Sequence, residues 1–255
     1  MELTAIAQAT LGAGFLGLFP VLVWLAFWLF EDWRHPEPRV RLITAFVTGM
    51  LTVAVVLPFQ SAVSALLPFQ FASDSSILLF ALLLTWALIE EVAKFGLAWF
   101  LVLRNRAVDE PIDMAVYMIT VALGFAAVEN TLFLIAPFMG GEILEGALTA
   151  NLRFVGATLI HTLGSAIVGI ALGMAFFRPL SVRRTYILMA LILATSLHAL
   201  FNFLIITTAA GTVLTIFLAV WVGVIAVLLM FERIKMLRPP SWWEKMTMGS
   251  NLPIN

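Results

Sequence analysis

The chain has no cysteine among its 255 residues, and charged residues make up only 11% of it. The lack of cysteine excludes disulfides, thiolate zinc sites, iron–sulfur clusters and covalent haem attachment. The scarcity of charge, with a formal net charge of −1, leaves no basic surface for nucleic acid, so no nucleic-acid partner is expected. Hydrophobic residues instead make up 62% of the chain, and the mean hydropathy is +1.06. These values indicate an integral membrane protein that folds in a lipid bilayer.

Seven apolar stretches are long enough to cross a bilayer, which takes about 20 helical residues. They lie at roughly 10–30, 40–66, 77–103, 112–137, 152–177, 185–208 and 211–231. Pro, Gly and charged residues mark the breaks between them. We therefore predict an all-α bundle of about seven transmembrane helices, with residues 1–255 as a single integral membrane domain and 232–255 as its cytoplasmic tail.

The basic residues predict the orientation of the bundle. Of the 14 Lys and Arg residues, 12 lie in alternate connections or after the last span. Because basic residues near span ends are retained on the cytoplasmic side, this pattern favours an exterior N-terminus and a cytoplasmic C-terminus. Lys94 and Arg153 stand apart from the pattern, since both lie within predicted spans.

Ionisable and amide side chains within four of the spans are the candidate functional residues. They are Glu90, Glu91 and Lys94 in the third span, Glu129 in the fourth, His161 in the fifth, and His198 with Asn202 in the sixth. An ionised side chain at the bilayer centre costs about 2.5–3.5 kcal/mol, so such residues usually mark a functional site. We expect this set to converge in one wet polar cavity.

The spacing in the third span predicts different roles for its two glutamates. Glu90 and Glu91 lie four and three residues before Lys94, so each can reach the ammonium, yet the two point about 100° apart around the helix axis. One glutamate can therefore be held by Lys94 while the other faces water as a general base. The sequence does not decide which is the base. His198 lies one helical turn before Asn202.

This combination of residues fits peptide hydrolysis inside the membrane, in one of two versions. In the first, a glutamate takes a proton from water and a histidine or asparagine stabilises the oxyanion. In the second, zinc activates the water, with Glu91, Glu129, His161 and His198 as the candidate metal ligands. The sequence lacks an HExxH helix, a rhomboid-type GxSG and an aspartate in the interior of any predicted span, which disfavours three other protease classes.

Two motifs resemble those of a known family. Segment 90–94, EEVAK, is similar to the EExxK of PrsW-type intramembrane proteases, and segment 125–129, FAAVE, is similar to their FxxxE. The resemblance covers roughly residues 77–208, which it implies are the catalytic core, and it makes His161 and His198 the histidines of the later spans. His198 with Asn202 also resembles the HxxxN of the related CAAX prenyl protease and bacteriocin-processing superfamily, which has FxxxH where this chain has Glu129.

The resemblance implies an intramembrane metalloprotease in a prokaryotic plasma membrane. It implies a membrane-anchored protein substrate with a single span, such as an anti-sigma factor. Two other functions remain open from the residues alone: a proton- or ion-coupled transporter that uses the same buried Glu and His side chains, and a non-catalytic membrane scaffold.

Overall fold

The computed structural model of the protein describes residues 2–31, 37–69, 75–105, 107–208 and 212–241. All regular structure within these ranges is helical, as predicted. The α-helices are α1 (Glu2–Glu31), α2 (Arg39–Leu66), α3 (Ser76–Ala98), α4 (Asp113–Met139), α5 (Ile143–Leu152), α6 (Thr158–Met174), α7 (Leu180–Thr207) and α8 (Val213–Lys235). Two five-residue π-helical segments, Trp99–Leu103 and Arg153–Ala157, continue α3 and join α5 to α6.

Seven helical segments of the described residues are long and apolar enough to cross a membrane, which confirms the predicted number of spans. The fifth, Leu144–Met174, combines α5, the second π-helical segment and α6. Its predicted start at residue 152 was wrong by about eight residues, because polar Glu145 and Asn151 interrupt the apolar pattern while the helix continues through them. The exterior N-terminus stays a prediction, and residues 242–255 of the predicted tail lie outside the described residues.

The fourth and fifth spans form the centre of the bundle. Within their most apolar windows 67% and 78% of residues are buried inside the protein, against 22–33% for the other five spans. Helix α4 packs against α1, α2 and α6, while α7 packs against α3 and α6. The surrounding spans thus expose most of their apolar side chains outwards, as expected for helices solvated by lipid.

A close crossing fixes α2 against α4. A Cβ added at Gly49 would lie 1.9 Å from the carbonyl oxygen of Val121, and one added at Gly124 would lie 1.9 Å from that of Phe46. Neither helix can carry a larger residue there without moving apart, because both contacts are to backbone. Small residues at helix crossings are the usual means of close packing in membranes. This crossing brings α2 alongside the helices that carry the candidate site.

Candidate active site

Glu91 forms a buried network with Lys94 and His198. The Nζ of Lys94 donates to Glu91 Oε1 at 2.6 Å, and His198 Nδ1 lies 2.9 Å from the same oxygen. Exposure is 1% for the glutamate and 0% for the lysine side chain. The i, i+3 spacing places both charged groups on one face of α3, while α7 supplies the histidine. Of the two adjacent glutamates, Glu91 is therefore the one held by Lys94.

Glu129 forms a second network with Arg153 and His161. Its Oε2 accepts a hydrogen bond from Arg153 Nη2 and another, of 2.8 Å, from His161 Nε2. These residues come from α4, the second π-helical segment and α6. The side chains of Glu129 and Arg153 are 19% and 13% exposed, so this network lies nearer the surface than the first. Each histidine is thus bound to a carboxylate that is itself paired with a cation.

Glu90 lies between the two histidines. Gln60 Nε2 of α2 donates to its Oε1 at 2.8 Å, whereas its Oε2 is buried and has no hydrogen-bond partner among the described residues. That free oxygen is 3.8 Å from His161 Nδ1 and 3.7 Å from His198 Nε2. A buried carboxylate oxygen without a partner is costly, which makes it a candidate for contact with water, a cation or a substrate.

The ring orientations of the histidines follow from their outer hydrogen bonds. A carboxylate only accepts, so His161 presents Nε2–H to Glu129 and His198 presents Nδ1–H to Glu91. The remaining ring nitrogens, His161 Nδ1 and His198 Nε2, then carry lone pairs and face Glu90. The two rings meet edge to face, with centroids 4.7 Å apart. Carboxylates therefore fix both rings with their inner nitrogens, His161 Nδ1 and His198 Nε2, directed to one point.

This point has the donors of a metal site. One ligand atom each from Glu90, His161 and His198 lies within 4.8 Å of the other two, and all three residues are buried. The sequence-based ligand set included Glu91 and Glu129; in the described geometry their contacts to the histidines are instead made to the outer ring nitrogens. Lys94 Nζ lies 3.3 Å from His161 Nδ1, so a cation at that nitrogen requires Lys94 to keep only its bond to Glu91.

The charges of the site also favour a cation. Glu90, Glu91 and Glu129 face two cationic side chains, Lys94 and Arg153, within the described network. One formal negative charge is in excess when both histidines are neutral. A buried excess charge is unfavourable unless a proton or a bound cation offsets it.

Asn202 is the one predicted site residue that the structure does not bring into the network. It is half-buried on α7 and makes no side-chain hydrogen bond within the described part of the chain, so its role stays a prediction. Sequence reasoning did not include Gln60 or Arg153 among the site residues. Arg153 could have been found, because it lies within a span while most basic residues of the chain lie outside the spans. Gln60 could not, because a single amide in an apolar span does not indicate a site.

Proteins of similar sequence provide evidence on function that does not depend on the site geometry. A sequence model described as PrsW family intramembrane metalloprotease matches residues 37–230. The chain is 30% identical to a Protease PrsW of Geobacillus kaustophilus, over 74% of this chain and 78% of the relative. It is 29% identical to a Protease PrsW of Oceanobacillus iheyensis and 26% identical to one of Bacillus subtilis, in each case over 74% of this chain and 80% of the relative. No solved structure matches significantly.

Proposed function

Because the chain belongs to the PrsW family of intramembrane metalloproteases, we propose that Glu90, His161 and His198 carry the hydrolysis of a peptide bond in a membrane-anchored protein. Peptidase activity and location in a bacterial plasma membrane follow from the family and from the seven apolar spans. The supporting observation is the unpaired Oε2 of Glu90, 3.7 and 3.8 Å from the inward nitrogens of the two histidines.

Zinc is the cation that we propose for these three donors. A catalytic zinc site has three protein ligands, typically imidazole and carboxylate, and keeps a further position for water. Ligand atoms in a tetrahedral zinc site are about 3.3 Å apart, close to the separations of Glu90 Oε2 from the two ring nitrogens. Glu91 and Glu129 bind the outer nitrogens, as second carboxylates do for metal-ligating histidines. When bound, the cation supplies a Lewis acid that lowers the pKa of its water to about 7.

The other residues of the site hold these groups in place. Glu91, neutralised by Lys94, orients His198, and Glu129 orients His161. Gln60 occupies Glu90 Oε1 and leaves Oε2 directed to the histidines. In the absence of a cation, that oxygen accepts a proton from a water held at the same point, so Glu90 rather than Glu91 is the proposed base.

The substrate is proposed to be a single-span protein such as an anti-sigma factor. The membrane-embedded site and the family support a membrane-anchored protein as substrate. The anti-sigma assignment depends on the family resemblance alone. The comparisons give no support to a transporter.

The test is cleavage of single-span substrates by the purified protein in liposomes. We compare wild type with Glu90→Gln and His198→Ala, and with Glu232→Gln as a control, because Glu232 is 60% exposed at the end of α8. Loss of a general base typically costs about 10²–10⁴-fold in rate, and His198→Ala removes one of the three donors, so both site variants are expected to lose most of their activity while the control cleaves normally. A chelator should abolish wild-type cleavage and zinc should restore it.

Each result has a defined meaning. Cleavage that resists the chelator removes zinc from the proposal but keeps Glu90 as base. Normal cleavage by folded Glu90→Gln overturns the assignment of the site. A wild type that cleaves nothing across a broad panel of membrane proteins, but passes protons or ions, overturns the protease assignment.

A further inference from the structure

Arg153 is a basic residue at an unusual place in the chain. It lies inside the fifth span, in the π-helical segment Arg153–Ala157 that joins α5 to α6. A π-helical turn changes the direction of side chains relative to a regular α-helix, and such turns are frequent at functional sites. The burial of an arginine in a membrane span also requires partners that offset its cost.

Within the described part of the chain, the side-chain partners of Arg153 lie on α4. Its Nη2 donates to Glu129 Oε2, its Nε donates to Asn130 Oδ1 at 2.7 Å, and its guanidinium lies 4.0 Å from the centroid of the Phe133 ring. Asn130 Nδ2 in turn donates to Thr158 Oγ1 at 3.0 Å, at the start of α6. The guanidinium is therefore fixed in position and in plane by three neighbouring side chains of one helix.

One oxygen links Arg153 to the proposed catalytic centre. Glu129 Oε2 accepts from Arg153 and also from His161 Nε2. A carboxylate in this position remains ionised at lower cost when a cation is bound to it. An ionised Glu129 accepts only, which favours the proton of His161 on Nε2; the lone pair on Nδ1 then faces Glu90 at 3.8 Å and Lys94 Nζ at 3.3 Å.

We propose that Arg153 is a positioning residue of the active site, which acts through Glu129 to set the tautomer and the orientation of His161. This inference rests on the proposed function for its catalytic consequence. A purely structural arginine would only join α4 to the fifth span, and its loss would not act selectively on one histidine. The two roles are separable by experiment.

The first experiment reads the histidine rings directly and needs no substrate. The chain has three histidines, so ¹⁵N-histidine-labelled protein with His35→Gln has only two ring systems, assigned with His161→Gln and His198→Gln. In Arg153→Gln, the ring nitrogen signals of His161 are expected to shift, because Glu129 loses the cation that holds it against Nε2, while those of His198 change less. Arg184→Gln is the control, since Arg184 is an exposed arginine on α7.

Two outcomes of this experiment decide the proposal. His161 signals that are the same in Arg153→Gln and wild type overturn it, as do equal shifts at both histidines. Arg153→Lys keeps the charge but not the guanidinium that donates to both Glu129 and Asn130. It should retain most of the His161 Nε2–H signal. If Arg153→Gln does not fold, the His161 ring signals are measured in Arg153→Lys instead.

The second experiment uses cleavage by the reconstituted protein. Loss of a residue that orients a reacting group typically lowers activity about 10- to 100-fold, so Arg153→Gln should fall in that range through kcat, with Arg153→Lys between it and wild type. Glu129→Gln combined with Arg153→Gln should be no less active than Glu129→Gln alone, because both changes interrupt one linkage. Effects that multiply in the double variant would contradict the proposal.

The two experiments also separate this inference from the proposed function. Normal cleavage by Arg153→Gln beside an inactive Glu90→Gln removes the role of Arg153 and leaves the protease site. A wild type without activity, in which Arg153→Gln still shifts His161 alone, keeps the positioning role and removes the proposed chemistry.

Discussion

The two carboxylate–cation networks beside Glu90 differ in how they are built. In one, Glu91 and Lys94 lie three residues apart on α3, and their side chains are 1% and 0% exposed. In the other, Glu129 and Arg153 come from different spans, and their side chains are 19% and 13% exposed. Each orients one histidine, by hydrogen bonds of 2.9 and 2.8 Å. Helix periodicity brings the carboxylate and the cation together in the first network, and packing between helices does so in the second.

The largest effect is expected when the more buried network loses its cation. Lys94→Met leaves Glu91 as an uncompensated buried charge, and such a change costs about 3–5 kcal/mol of unfolding free energy. Unfolding in mixed micelles measures the loss. Lys94→Met combined with Glu91→Gln should recover most of this stability without recovering cleavage, and a double variant as unstable as the single one would contradict the explanation.

The same change in the less buried network is expected to cost less. Arg153→Met removes two hydrogen bonds to α4, one of them to the charged Glu129, which is worth about 1.5–3 kcal/mol. Glu129 is part-exposed and can then take up water, which limits the loss. Unfolding under the same conditions gives the comparison, with Arg184→Met as the control. A larger loss of unfolding free energy than in Lys94→Met would contradict the explanation that the less buried network contributes less stability.

The amide that supports Arg153 offers a smaller test. Thr158→Val removes the acceptor of Asn130 Nδ2 and leaves a buried donor unpaired, at a cost of about 1 kcal/mol. The matched control is Thr162→Val, since the buried Thr162 hydroxyl donates to the Thr158 carbonyl oxygen one turn earlier and has no other hydrogen bond among the described residues. Equal unfolding free energies of the two variants would show that the link from Asn130 to Thr158 does not contribute to stability.

The smallest effect on stability is expected at Gly164, which lies against Glu91. A Cβ there would be 3.3 Å from Glu91 Oε2, so Gly164→Ala requires the carboxylate to move by a few tenths of an ångström. The matched control is Gly96→Ala, where a Cβ meets nothing within 4 Å and which should stabilise the helix by about 0.4–1 kcal/mol. We expect Gly164→Ala to lack this gain and to shift the ring signals of His198. Identical behaviour of the two variants would contradict the close packing at Glu91.

The sequence predicted the more local of the two networks and missed part of the other. Glu91 and Lys94 share a helix face by spacing alone, so the pairing of one glutamate with Lys94 follows from periodicity. Arg153 and Glu129 are 24 residues apart in sequence, and nothing in either span indicates that they meet. The π-helical turn at Arg153 also changes the helix phase, which a pattern of uniform α-helical periodicity does not describe.

The candidate metal ligands show the same limit. The sequence offered three intramembrane glutamates and two histidines as ligands, and the set it favoured contained Glu91 and Glu129. In the structure His161 Nδ1 and His198 Nε2 face Glu90. The other ring nitrogens are bound by Glu129 and Glu91. Which carboxylate meets which ring nitrogen depends on the rotation of four helices about their axes, and residue spacing along each helix does not contain that information.

The amino-acid sequence by itself determined that this protein has seven membrane-spanning helices, that polar side chains lie within four of them, and that they resemble those of a protease family. Hydropathy and residue spacing are sufficient for this, because a bilayer imposes span length and excludes unpaired charge. Only the tertiary structure decided that Glu91 pairs with Lys94 while Glu90 keeps a free oxygen, and that Arg153 reaches His161 through Glu129. Apart from the Glu91–Lys94 pair within α3, these contacts join different helices, and their geometry is set by side-chain packing at the helix crossings.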